Sequence, residues 1–255
     1  RFAPSPSGRM HLGNLWSCLL SWLSARSAGG GMVLRLEDLD PDRCKKEYCE
    51  QVMRDLEWLG LDWDNEPVYQ SRRTEIYEEQ FRLLEEKTLT LGAFRTKVLE
   101  SSAVETDASF RDMCAANVCG NYGRNWMCPP DAGDIHDLMA ALKTYSYALV
   151  YQTVSELEDS YDFEGMMDAG VAHNRLMVEL RRGIEGLNLS RVLHLGAGGC
   201  RMCEVCGKRT GEPCRHPELA VASLETYGVN VSKLAAAAGM KYINGQDTVT
   251  YFGTV

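Results

Sequence analysis

Apolar residues recur at helical spacing at Leu12, Leu15, Trp16, Leu19, Leu20 and Leu23, between a short β-prone opening, RFAPSPSG, and the Gly29–Gly31 run that ends the helix. MVLRLED follows as a strand. Strand, turn, helix and strand make one βαβ unit, for which parallel strands and a right-handed crossover are expected. Its turn and helix N-terminus then lie at the carboxyl end of the first strand, where α/β folds bind ligands and free backbone N–H groups favour phosphate. Residues 42–59 and 72–87 predict two further helices, with Leu56, Trp58 and Leu59 facing inward on the first.

The pattern changes near Lys87, and two modules are expected, residues 1–87 and 88–255. In the second, TLTLGAFRTKVLESSAV predicts a helix end followed by an extended segment, DIHDLMAALKTYS a helix and YALVYQTV a buried strand. Residues 162–187 predict a long amphipathic helix whose Met and Leu spacing reads as core. Residues 218–226 and 231–239 predict short helices, and KYINGQDTVTYFGTV a hairpin turning at Asn244-Gly245. The fold class is α/β throughout: a nucleotide-binding (Rossmann-like) βαβ piece, then a cysteine-rich α/β domain.

The net charge of −9 is spread evenly, with twelve Lys+Arg against sixteen Asp+Glu in residues 1–87 and fifteen against twenty in the remainder. Neither module has the concentrated basic composition of a non-specific nucleic-acid binder. No apolar run is long enough to span a bilayer, and no basic-then-apolar leader opens the chain, so a soluble, cytoplasmic protein with no membrane contact is expected.

Ten cysteines change the picture, because their spacing is that of metal sites in a reducing compartment rather than of scattered disulfide pairs. Cys200, Cys203 and Cys206 are each two residues apart, and Cys214 follows. Thiolates so spaced suit an iron–sulfur cluster, and they suit tetrahedral zinc as well. Cys114, Cys119 and Cys128 form an earlier group in CAANVCGNYGRNWMCPP, where Gly120, Gly123 and Pro129-Pro130 enforce an irregular loop. That group is one ligand short, with His136, Asp131, a substrate or the later cysteines as candidates for a fourth. Cys18, Cys44 and Cys49 lack metal spacing and read as ordinary helix residues. DLDPD at Asp38–Asp42 is no calcium loop, because Arg43 and Cys49 stand where that loop needs Gly and Glu. Gly196-x-Gly198 after a strand is no dinucleotide fingerprint either, since Arg201 occupies the place of the third glycine.

RFAPSPSGRMHLGN, LRLEDLDPDR and YQSRRTEIY together resemble the opening of glutamyl-type class I aminoacyl-tRNA synthetases. WLSARSAGG and EDLDPDRC are closest to the glutamyl-queuosine tRNA(Asp) synthetase branch. The resemblance implies catalytic roles for His11 and Gly13, and ATP contacts from Pro4, Ser5, His11, Gly13 and Asn14. It implies glutamate contacts from Arg1, Ala3, Ser5 and Glu37, with Arg1 pairing the carboxylate and Glu37 accepting the ammonium group. ATP, L-glutamate and tRNA are its implied partners. The chemistry would be orientation and charge stabilisation rather than covalent catalysis.

After Lys87 the family's continuation is missing, including its Lys-x-Ser-Lys loop. Asn230-Val231-Ser232-Lys233 lacks the first lysine and does not replace it. Over the second module the cysteine pattern, CGNYGRNWMCPP early and GGCRMCEVCGKRTGEPCRHPELAVASLETYGVNV late, resembles a family of predicted metal-binding proteins. The expectation is a fusion-like chain: an iron–sulfur or zinc protein with a redox role and an unidentified redox partner, carrying an incomplete ATP/glutamate site. A residual glutamate-activating ligase and a purely interacting first module are the alternatives.

Overall fold

In a computed structural model, which describes residues 1–184, 187 and 191–255, the chain divides into two compact units, Arg1–Gln80 and Phe81–Val255.

In the first unit three short parallel segments lie side by side. Phe2 bridges in parallel to Leu34, and β1 (Arg35–Leu36) pairs in parallel with β2 (Val68–Tyr69). The expected parallel βαβ arrangement is present. Bonds of 2.8 Å from Phe2 N to Val33 O and 3.0 Å from Glu37 N to Pro4 O register the opening strand against the next. Phe2, Leu34 and Leu36 are buried with Cys49, Val52 and Leu56 of α2 (Lys46–Trp58).

Trp58 and Leu59 do not face inward: Trp58 is 85% exposed. Cys49, Val52 and Leu56 set the buried phase, and at about 100° per residue Trp58 is turned well away from Leu56. Cys44 precedes α2 rather than lying in it. The apolar set of α1 (Leu12–Ser27) also splits, with Cys18, Leu19 and Trp22 packing on the core while Leu12, Trp16, Leu20 and Leu23 are exposed. Near the end of α1, Arg26 bonds Asp62 at 2.9 Å and Asp64 at 2.8 Å, and Trp22 donates to Asp62 at 2.7 Å.

The second unit is built on a five-stranded sheet of order β3 (Arg95–Glu100), β4 (Tyr147–Glu156), β7 (Thr248–Thr254), β5 (Leu195–Gly196), β6 (Ala222–Ser223). β3/β4, β4/β7 and β5/β7 are antiparallel, and β5/β6 is parallel. The helices, after α3 (Thr74–Thr90), are α4 (Phe110–Ala115), α5 (Ile135–Leu142), α6 (Phe163–Ile184) and α7 (Val231–Ala237). β4 is buried on both faces, as its continuous apolar run implies. Leu149 and Tyr151 pack with Leu176 and Leu180 of α6, while Val150 joins Leu195, Leu224, Leu234 and Phe252. The Tyr151 ring lies over Gly253, where an added Cβ would sit 2.3 Å from it.

Two expectations are overturned. Residues 218–226 form no helix: Leu224 N bonds Gly196 O at 3.0 Å and Thr226 N bonds Ser223 Oγ at 3.1 Å, committing the backbone to β6 and one 3-10 turn, Glu225–Tyr227. The final segment makes no hairpin at Asn244-Gly245, because β7 pairs with β4 and β5, and Leu157 N bonds Asp247 O at 2.8 Å. Of the helix expected over residues 162–187, Glu185 and Gly186 lie outside the described residues.

Candidate functional site

Beyond β5 the chain turns at Gly198, in the left-handed region at φ 71°, and enters the cysteine loop. Cys200, Cys203, Cys206 and Cys214 all border one cavity of about 20 Å³. A 3-10 turn, Gly207–Thr210, reverses the chain between Cys206 and Cys214, and Glu212 N closes it on Gly207 O at 2.8 Å. A Cβ at Gly207 would lie 2.6 Å from Pro213 O, so only glycine lets Cys214 return to Cys206. Arg215 donates to Val205 O at 3.0 Å and steadies the same return.

Cys114 on α4, Cys119 and Cys128 border a second cavity, of about 470 Å³, together with Ser223, Glu225 and Thr226. Gly123 N bonds Pro129 O at 2.8 Å and Tyr122 N bonds Asn117 Oδ1 at 3.0 Å, which folds the loop on itself. The two cysteine loops are clasped together. Asn125 donates to Cys200 O at 3.0 Å, Trp126 Nε1 to Glu212 O at 3.0 Å, and Lys208 pairs with Asp131 at 2.5 Å while lying 4.4 Å from the Trp126 ring centre.

Among the described residues no three His, Cys, Asp or Glu side chains stand close enough together to hold a metal ion, so the seven thiols border cavities rather than converging on a point. Burial, then the charges of Cys119, Cys114, Cys200 and Cys206, push Cys128 up to about 12. Burial also raises Cys200, against backbone N–H bonds from Met202 and Val221 that favour its thiolate. Packed thiols of this kind ionise together only around a cation, and an all-sulfur donor set selects thiophilic metals. The residues present therefore fit such a group in donor chemistry, though they do not converge on one ion. Of the possible fourth ligands to the earlier group, Asp131 is committed to Lys208 and His136 does not border the cavity, whereas Glu225 does.

In the first unit Arg1, Ala3, Pro4 and Asn14 border a cavity of about 170 Å³ with Ser17 and Cys18, while Ser5, His11, Gly13 and Glu37 lie outside its lining. His11 caps α1: its Nδ1 accepts from Gly13 N at 3.1 Å, which leaves Nε2 as the protonated nitrogen. A Cβ on Gly13 would lie 3.0 Å from the His11 ring, so the glycine makes room for the cap. Glu37 is held by Arg35 at 2.6 Å.

Sequence reasoning overlooked Asn125, Trp126, Gly207, Lys208 and Arg201. Arg201 reaches α6, where a Cβ on Gly170 would meet its guanidinium at 2.7 Å. The signal was a tryptophan, an amide and a glycine standing immediately beside ligand-spaced cysteines.

Residues 1–98 match the family described as tRNA synthetases class I (E and Q), catalytic domain, so that fold is present in part at the N-terminal end. The glutamyl-Q tRNA(Asp) synthetase of Nitratidesulfovibrio vulgaris strain Hildenborough is 50% identical over 101 residues, 36% of this chain and 30% of that protein. The glutamate–tRNA ligase of Oleidesulfovibrio alaskensis is 55% identical over 87 residues, 34% of this chain and 19% of that protein. The chain thus spans less than a third of the length of these curated relatives. A crystal structure of the glutamate–tRNA synthetase from Elizabethkingia anophelis aligns at 24% identity and a TM-score of 0.34, covering 62% of this chain and 34% of that one. Residues 97–255, well over half of the chain, match Predicted metal-binding protein (DUF2284), and the chain belongs to that family.

Proposed function

We propose that the chain is a thiolate metal protein whose Cys200, Cys203, Cys206 and Cys214 hold an iron–sulfur centre, joined to an incomplete glutamyl-type synthetase fragment. The observation that carries this is that all four thiols border a single cavity. When bound, such a centre supplies one-electron transfer. The chain's own residues hold and shield it. Gly207 allows the loop to close, the N–H groups of Met202 and Val221 stabilise the Cys200 thiolate, and Trp126, pinned by Lys208 and Glu212, covers one side. Iron, zinc and acid-labile sulfide measured on anaerobically purified protein, with a visible spectrum, test the reading. Iron with matching sulfide that is lost in Cys203→Ser supports it, and metal-free folded protein overturns it.

A zinc reading is favoured by one observation: a cavity of about 20 Å³ has room for little more than a single ion. Zinc without sulfide would establish it and remove electron transfer. For the first unit, the Arg1–Asn14 cavity and the protonated Nε2 of His11 support binding of ATP and glutamate, with tRNA the third partner of a complete synthetase. Glutamate-dependent ATP–pyrophosphate exchange that falls in His11→Ala would establish activation, and no exchange at saturating substrates would exclude it.

A further inference from the structure

The cavity of about 470 Å³ has the size of a small-molecule site, for which about 300–1,000 Å³ is usual. Among the described residues its lining holds one Asp, Glu, Lys, Arg or His side chain, Glu225. Glu225 opens the 3-10 turn after β6, is half-buried, and makes no side-chain hydrogen bond or ion pair among the described residues. A carboxylate partly withdrawn from water and left without a partner is stabilised by a cation that brings its own donors. Arg111 does not supply one: it lies outside the lining and is spent on two carbonyls, Gly133 O at 2.9 Å and Thr226 O at 3.5 Å. Asn121 Nδ2 donates to Cys119 O at 3.4 Å, which leaves the amide oxygen to accept, while the Ser223 and Thr226 hydroxyls, 3.1 Å apart, satisfy each other. Much of the remaining lining is apolar or aromatic. Phe110, Tyr122 and Tyr242 supply rings, and Tyr242 stacks on the buried Phe252 with centroids 6.1 Å apart and planes at 19°, which fixes its orientation. Val118 is 94% exposed, Met113 66% and Tyr242 52%, so this apolar lining is open to solvent, and clustered apolar surface of that kind marks binding sites.

We propose that this cavity binds a small organic cation, a primary amine on an aromatic body, with Glu225 taking the ammonium charge and Phe110 and Tyr242 packing on the body. The Asn121 oxygen accepts a second ammonium proton. Aromatic faces attract a cation and not an anion, so the walls and the carboxylate select the same sign of charge. An anion of the same shape meets Glu225 and, among the described lining residues, no Lys, Arg or His. Cys200, Cys203, Cys206 and Cys214 border the other cavity, so the amine site does not rest on what those thiols hold.

The test is titration calorimetry on the full chain, purified without oxygen, with two probes that share one body and differ in charge: phenethylammonium and 3-phenylpropionate. Phenethylammonium should bind saturably, one per chain, with a dissociation constant of about 1 mM or below, and 3-phenylpropionate at least tenfold more weakly. Glu225→Gln, which keeps the side-chain shape and removes only the charge, should weaken phenethylammonium at least tenfold and bring the two probes within about threefold of each other. Tyr242→Ala should weaken both probes several-fold and leave their ratio unchanged, because it removes a wall and not the charge. Circular dichroism confirms the fold of each variant, and Lys45→Ala, on the first unit, serves as the control that binds as wild type. No saturable phenethylammonium binding to folded wild type, equal binding of the two probes to wild type, or undiminished phenethylammonium binding to Glu225→Gln each overturns the amine site. None of these results bears on the four-cysteine centre, which iron and sulfide content decides.

Discussion

In the first unit the buried residues come from three short parallel segments and one face of α2, whereas in the second β4 sends alternate residues into two separate cores. The first unit's longest helix, α1, buries no residue fully. A thin core of this kind depends on each member, while the second unit distributes burial across both sheet faces. What was read as chemistry follows the same division. The synthetase-like site is one continuous stretch around one turn, and the cysteine site is assembled from loops about eighty positions apart.

The largest expected effect tests that contrast directly. Leu36→Ala should cost roughly 2–5 kcal/mol, enough to unfold the first unit, while the second unit's near-ultraviolet dichroism persists. A single concerted loss of both would break the comparison. Acid should act the other way. Burial pushes His173 and His194 down to about 4, with Thr153 bonded to His173 at 2.9 Å and the Arg181 charge adding to the effect at His194. Each histidine takes up its proton more readily once unfolded, at an ordinary value near 6.5. The second unit's stability is therefore whole above about 6.5 and lost as pH falls towards 4, on the order of 3 kcal/mol per histidine. Denaturant unfolding between pH 7 and 4 should show this slope, and His194→Phe should flatten it; an unchanged slope would place the acid sensitivity elsewhere.

The smallest effect concerns helix ends. Asp134 accepts from His136 N and Asp137 N at the start of α5, so Asp134→Ala should cost about 1 kcal/mol. Lys45 makes no side-chain cap on α2, and Lys45→Ala should change little by the same denaturant measurement.

Much of the first unit was legible because its information is local. Helical period and the glycine stop lie within neighbouring residues, and the parallel pairing of Phe2 with Leu34 closes across the one helix between them. The inward placement of Trp58 and Leu59 failed because apolar side chains near a helix end were counted without fixing the phase that Cys49, Val52 and Leu56 set. In the second unit the apolar run of β4 announced a strand buried on both faces. Its partner did not announce itself: Thr254 pairs with Val150 across about a hundred residues, and the Asn-Gly signal pointed to a local turn instead. The cysteines were legible by spacing, but their division between two cavities was not. The two loops themselves are joined by Asn125 bonding to Cys200 and Lys208 to Asp131, contacts that no sequence period encodes.

Trp126 borders the four-cysteine cavity, and the other four of the chain's five tryptophans, Trp16, Trp22, Trp58 and Trp63, all belong to the first unit. An iron–sulfur chromophore or a paramagnetic ion among those thiols quenches a neighbouring indole. The fluorescence of this chain therefore divides by unit: one emitter would gauge metal bound among those four thiols, and the remaining four follow the state of the nucleotide-fold fragment.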